Sequence, residues 1–245
     1  MHPYLIHSVH FLLPTFGVLA ALGLVAALTL SLRTAALIGL SPDKLWNAGL
    51  VILLSAFVLS RLLIILANPF RFFVYPLLVL TLPSLNAAGI LLTLIATTIY
   101  LRRRHLPLLD TLDAWAPCAT LAWAFLALGH FAEGSDAGLP TTLPWGLRIP
   151  PDRTPLHPVA LYAAIAASVL TIFLLRQLPH RHRPGNILAL ALAATGTIQF
   201  LLTFFRQPYP YEGLLDPIQW IALGMIATAG FILLLQPRKL VTHAV

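Results

Sequence analysis

Charged residues make up only 9% of this 245-residue chain, and cysteine occurs once, as Cys118. One cysteine excludes an internal disulfide. Its setting, Trp115-Ala116-Pro117-Cys118 inside an apolar run, is that of a packed small hydrophobe rather than a nucleophile. So little charge, with a mean hydropathy of +0.87, excludes a soluble α/β domain. The chain also lacks a basic leader region and a small-residue cleavage pattern, so its first apolar segment is expected to stay as a membrane span. No internal repeat and no paired, interrupted spans stand out, which makes a transporter built on inverted repeats the weakest function class. The pI is near 10.2, yet the fifteen Lys and Arg are scattered between apolar segments and form no basic face with interleaved aromatics. Topology explains them, and no nucleic acid is expected as a partner.

What is present is apolar sequence in runs near the length that crosses about 30 Å of hydrocarbon. The runs are 10–32, 45–67, 84–101, 114–131, 158–175, 185–205 and 217–235. Between the second and third, NPFRFFVYPLLVLTLP at 68–83 is too short and too rich in proline and aromatics for a crossing, so it reads as re-entrant or interfacial. The expected fold is an all-α polytopic membrane protein, a single integral membrane domain over 1–245 with about seven transmembrane helices. Seven crossings put Arg33, Lys44, Arg102, Arg103, Arg104, Arg176, Arg181, Arg183, Arg238 and Lys239 on one side, and Arg71, Arg148, Arg153 and Arg206 on the other. Ten against four makes the first side cytoplasmic, with the amino terminus outside and the carboxyl terminus inside. The outer side is then periplasmic if the cell is Gram-negative.

Polar chemistry is concentrated in 128–162, LGHFAEGSDAGLPTTLPWGLRIPPDRTPLHPVALY, whose centre, 132–157, is expected to form an outer loop. It holds Glu133, Asp136 and Asp152, three of the eight acidic residues. Arg61 lies within an apolar run, where an ionised side chain needs a wet cavity or a partner. It either snorkels to the surface or holds a phosphate-bearing headgroup. Arg206, in TFFRQP at a span end, invites the same two readings. His157 precedes Pro158 at the start of a helix and is either a capping residue or a base; Tyr162, five residues on, is either an aromatic-belt residue or a ligand. His130 and Glu133 are three apart and could share a helix face, as could His130 and Asp136 around a turn, and a base polarised by a carboxylate would use such a pair. A metal would need a third ligand that the spacing does not supply, so neither metal nor cofactor is expected.

PTTLPWGLRIP, then LHPVALY, FFRQP and LDPIQWIALGMIATAG, taken together, resemble the second half of the prolipoprotein diacylglyceryl transferase family. That family shows a GxPTDLPWGVxFP-like stretch, HPSQLYE, EFFRxPD and a GQxxSxxMxxxG final span, in the same order. LSRLLIILANPFRFF is similar to the family's GARxxYVLF segment, so the likeness covers most of the chain. It implies a seven-helix inner-membrane enzyme that moves the diacylglyceryl group of phosphatidylglycerol to the lipobox cysteine of a prelipoprotein and releases glycerol phosphate. Such a reaction needs a base for the thiol, cations for the leaving phosphate, and a cavity open to lipid. The implied base is His130, His157 or a carboxylate such as Glu133. The implied headgroup ligands are Arg61, Asn86, Arg148, Arg153, Arg206 and Tyr162.

Departures from the family pattern fall on its catalytic positions. Asn86 stands at the histidine of SxHGG. In place of RxGNFxNGE the chain has ALGHFAEGS, so Ala127 replaces the arginine, His130 and Glu133 the two asparagines and Ser135 the glutamate. Thr195, Gly196 and Gln199 stand in YGxxR, and Phe16 at a first-span tyrosine. Two readings follow. One is a divergent transferase with phosphatidylglycerol and a prelipoprotein signal peptide as partners, in which His130 and Glu133 form a relocated base pair. The other is a catalytically inactive lipid-binding accessory subunit of a membrane complex.

Overall fold

The computed structural model describes residues 4–7, 12–67, 69–74, 87–136, 138–148, 154–207 and 214–235. The helices are α1 Thr15–Leu37, α2 Pro42–Ala67, a short α3 Pro69–Val74, α4 Ala87–Arg103, α5 Leu108–Glu133, α6 Val159–Gln177, α7 Asn186–Thr203 and α8 Pro217–Leu235. Apart from α3 these are seven long helices in the order expected from the apolar runs. Six are long and apolar enough to cross a membrane, and α4 has 17 residues. Leu22, Leu54, Val169, Ile221 and Phe231 are exposed although large and apolar, as expected where lipid is the solvent. The protein is an all-α polytopic membrane protein.

Helix starts differ from the hydropathy runs by more than three residues in two places, each with a local cause. A run beginning at residue 10 becomes a helix only at Thr15, because Leu12–Pro14 pairs antiparallel with Tyr4–His7 first. The run expected over 114–131 starts six residues earlier, at Leu108. Asp110 and Asp113 hide that first turn from a hydropathy reading. They stay helical because Arg181 pairs with both. Of the segment 68–83, expected to be re-entrant or interfacial, α3 is described, and the rest lies outside the described residues.

α5 is the central helix, packed on α1, α6 and α7 and touching α4; α7 lies along α8, and α2 packs on α1 and α4. With no difference in apolarity between lipid and a neighbouring helix, close approach of small residues drives the packing. A Cβ on Gly129 would sit 2.8 Å from the Phe16 ring of α1, and one on Gly196 would sit 2.7 Å from the Ala222 carbonyl of α8. The core divides along α5. Ala127, Val159, Ala163, Ala164 and Leu202 cluster near one end, and Ala116, Leu170, Leu174, Leu178, Ile187 and Ala191 near the other. Between them Thr171 donates to Thr120 at 2.8 Å and joins α6 to α5.

Candidate active site at one end of the bundle

The end where α5 and α7 finish and α6 begins carries the polar cluster. α5 stops at Gly134, whose left-handed φ of 81° a glycine adopts without a Cβ penalty, and whose N–H returns to the His130 carbonyl. That turn brings Ser135 back under the helix end, and its Oγ lies 2.9 Å from His130 Nδ1. The His130 ring leans on Phe16, centroids 4.7 Å apart. Gly129, one residue earlier, leaves the space that Phe16 fills.

Beyond Ser135 the chain is tied to both neighbouring helices by its backbone. Gly138 N–H donates to the His157 carbonyl at 3.0 Å, His157 N–H to the Leu139 carbonyl at 3.0 Å, and Leu139 N–H to the Phe205 carbonyl at 2.8 Å. Gly138 also bridges to Arg206. A Cβ there would meet the Phe205 and His157 carbonyls at 2.5 and 2.7 Å, so only glycine lets these strands of chain approach so closely. Two short strands, β3 Leu147–Arg148 and β4 Pro155–Leu156, pair antiparallel and hold the rest of the segment against the start of α6.

On this backbone knot sit the side chains. Trp145 Nε1 donates to Tyr162 Oη at 2.8 Å, and Oη is 3.4 Å from His157 Nδ1. Phe205 presents itself edge-on to both rings, 5.2 Å from His157 and 6.4 Å from Tyr162. Arg206, next in sequence, donates to Asp136 Oδ2 at 3.0 Å. Both partners are partly buried, at 20% and 24% side-chain exposure, so the pair is held in place without being sealed from water. In the tautomer whose Nδ1–H donates to Tyr162, the other imidazole nitrogen of His157 keeps its lone pair and can accept a proton.

The structure therefore gathers His157, Tyr162 and Arg206 through a shared backbone, and places His130 at the adjoining end of α5. Glu133 is exposed one turn beyond His130, but the hydrogen bond of His130 goes to Ser135 rather than to a carboxylate. Arg148 is exposed in β3, opposite Pro155. Arg61 is on α2, with its guanidinium 5.4 Å from the Phe57 ring centroid. That helix packs on α1, α3 and α4. Asn86 and Arg153 lie outside the described residues. Among the described residues no group of three His, Cys, Asp or Glu side chains is arranged to hold a metal ion. Three participants were not singled out from the sequence: Trp145 inside PTTLPWG, Phe205 inside FFRQP, and Asp136 as the partner of Arg206. The first two lie in the quoted motifs, so a signal existed; Asp136 and Arg206 are 70 residues apart, and no local spacing reports their pairing.

A helical bundle of membrane-spanning length, with imidazole, phenol and guanidinium side chains collected at one end, defines an integral membrane protein with a polar site at its boundary with water. Comparison with known sequences places it further: the family model for prolipoprotein diacylglyceryl transferase matches residues 3–235, and the chain belongs to that transferase family. It is a multi-pass protein of the bacterial inner membrane. It is similar to the phosphatidylglycerol-prolipoprotein diacylglyceryl transferase of Polynucleobacter asymbioticus, 31% identical over 151 residues, 59% of this chain and 58% of the relative. That of Coxiella burnetii is 32% identical over 152 residues, with the same shares. That of Cupriavidus metallidurans is 32% identical over 160 residues, 62% of this chain and 58% of the relative. The chain thus spans 58% of the length of these relatives.

Proposed function

We propose that this protein transfers the diacylglyceryl group of phosphatidylglycerol to the cysteine thiol of a prelipoprotein, with the cluster around His157 as its reaction site. The observation that carries the reading is the convergence of His157, Tyr162, Trp145 and the Arg206–Asp136 pair on one backbone knot, all from segments that match the family. His157 takes the thiol proton on the nitrogen not directed at Tyr162. The thiolate forms a carbon–sulfur bond at the glycerol carbon as the carbon–oxygen bond to phosphate breaks, and glycerol phosphate leaves with the electron pair. Arg206 faces that developing charge, oriented by Asp136, with Arg148, Arg153, Arg61 and Asn86 as further headgroup contacts. His130, bonded to Ser135, and the exposed Glu133 offer a secondary base and acid at the end of α5. The site end and the amino terminus face outward, where a translocated lipobox cysteine arrives.

The test is direct. Purified protein in phosphatidylglycerol vesicles is mixed with a lipobox peptide, and the thioether product is read by mass. Product that disappears with His157→Ala supports the reading; absence of product from the unaltered protein overturns it. One observation favours the second reading, a lipid-holding accessory subunit. Gln199 lines a cavity of about 200 Å³ between α5, α7 and α8, together with Thr120, Trp123 and Thr195, and none of the residues lining it is charged. Ala127, at the position of the family's arginine, is buried nearby at the α5–α6 contact. Stable co-purification with a membrane partner, with lipid retained and no turnover, is the result that reading requires.

A further inference from the structure

The end of the bundle opposite to His157 carries a second polar recess. α6 finishes at Gln177, a 3₁₀ turn Leu178–His180 bends the chain back, and α7 sets off beside α8. Between them lies a cleft of about 340 Å³, bounded by Gln177, His180, Arg181, His182 and Asn186 at the mouth and by Leu190, Ala193 and Leu233 along its wall.

Charge at the mouth is one-sided. Five of the eight residues from Arg176 to Arg183 are Arg or His. The carboxylates that meet them are Asp110 and Asp113, both engaged by Arg181. Arg181 is the arginine at the mouth itself, and Arg176 and Arg183 flank it in sequence, so the segment as a whole carries three arginines against two carboxylates even with both histidines neutral. The amino terminus of α7 adds nothing to it, because Asp113 already accepts from the Gly185 and Leu188 N–H groups, each at 2.8 Å. Side chains, not the helix end, must then supply any anion recognition. His180 is held in place by a 3.0 Å hydrogen bond from Nδ1–H to the Arg176 carbonyl, which leaves Nε2 as its remaining polar atom, a donor to an anion when the ring is in its imidazolium form. His182 is exposed, and Gln177 and Asn186 bring amide donors.

The wall has the opposite character. Leu190 is 36% exposed and Leu233 53%; Leu190 lies one turn into α7 beyond Asn186, and Leu233 lies near the end of α8. A free anion has no use for that apolar wall, and an uncharged lipid has none for the bases. A phosphodiester with acyl chains uses both. We propose that this cleft seats the headgroup of an anionic phospholipid, with its phosphate among His180, His182 and Asn186 and an acyl chain along Leu190 and Leu233. It is a binding site separate from the one at the other end of the bundle and independent of the activity proposed there.

The full chain is reconstituted in phosphatidylcholine nanodiscs doped with phosphatidylserine, a probe that is not the proposed acyl donor, and retained lipid is counted by native mass spectrometry. Two variants separate the halves of the cleft: His180→Ala with His182→Ala for the mouth, and Leu190→Trp to fill the wall. The expected result is preferential retention of one phosphatidylserine, weakened about tenfold by loss of the two imidazoles and also lost with Leu190→Trp. Equal retention of phosphatidylcholine, or retention unchanged by both variants, overturns the proposal. Displacement by inorganic phosphate alone, with Leu190→Trp having no effect, would assign a small-anion site and overturn it too. Circular dichroism and melting in detergent confirm that each variant is folded.

Discussion

The two ends of this bundle handle charge in opposite ways. At the α5 start, Asp113 is fully buried and accepts from Arg181, Gly185 and Leu188, so its carboxylate joins α5 to the α6–α7 connection. At the α5 finish, His157, Tyr162 and Arg206 are only partly buried, with one or two side-chain partners each. The first arrangement consumes the hydrogen-bonding capacity of its carboxylate and leaves little for a ligand. The second keeps an imidazole nitrogen and guanidinium N–H groups open while aromatic rings and backbone fix their positions. On the proposed function, sealed charge is structural here and half-open charge is chemical.

If that contrast is right, changes at the two ends separate activity from stability. The largest effect is expected from His157→Ala, a loss of about 10²- to 10⁴-fold in transferase turnover with the melting temperature in detergent nearly unchanged. A fall in both together would make His157 a structural residue like Asp113 and break the comparison from that side. Asp113→Ala is expected to do the reverse. Removing one partner from a buried pair costs about 3–5 kcal/mol, read as a lower melting temperature and a smaller folded yield. Turnover per folded molecule should change little. Asp113→Ala protein that is fully stable but inactive would place chemistry at the sealed end.

Gly138→Ala probes the frame rather than the charges. A Cβ would lie within 2.7 Å of two carbonyl oxygens and of the Val159 side chain, and relieving such overlap costs about 1–3 kcal/mol. Because Gly138 bonds to both the His157 and Arg206 segments, the strain appears in both activity and melting temperature, with turnover the more sensitive. Below it comes Asp136→Asn. The pair is partly exposed, so its contribution to stability is about 1 kcal/mol or less. The expected signature is a raised KM for phosphatidylglycerol with kcat less affected, since Arg206 loses its orientation and not its charge.

The same division explains what could be read from the sequence. Lipid forces each crossing to satisfy its backbone internally, so apolar runs announced seven long helices and their order. The α5 start was missed because Asp110 and Asp113 look like loop residues unless Arg181, 68 residues on from Asp113, is known to meet them. At the site, His157 and Tyr162 are five residues apart across a helix start and could be paired on spacing alone. Asp136 and Arg206 could not, and neither could the contact of His130 with Phe16, which depends on α1 packing against Gly129. Sequence spacing reports contacts within a turn or two of helix; contacts made by tertiary packing carry no such period.

Glu133 is the residue on which spacing and structure give different emphasis, and it supplies the smallest expected effect. Three residues from His130 on one helix face, it is placed to polarise that imidazole. Yet Gly134 turns the chain there, and the hydrogen bond of His130 goes to Ser135 at 2.9 Å, leaving Glu133 exposed. A charge acting through water from an exposed position contributes a few tenths of a kcal/mol, so Glu133→Gln should change turnover by about twofold, less at high salt. Ser135→Ala, which removes the direct partner of His130, should cost more than Glu133→Gln. The reverse order, measured as initial rates on the lipobox peptide at low and high ionic strength, would show that Glu133 closes onto His130 when substrate binds, and would move the acid–base chemistry from the start of α6 to the end of α5.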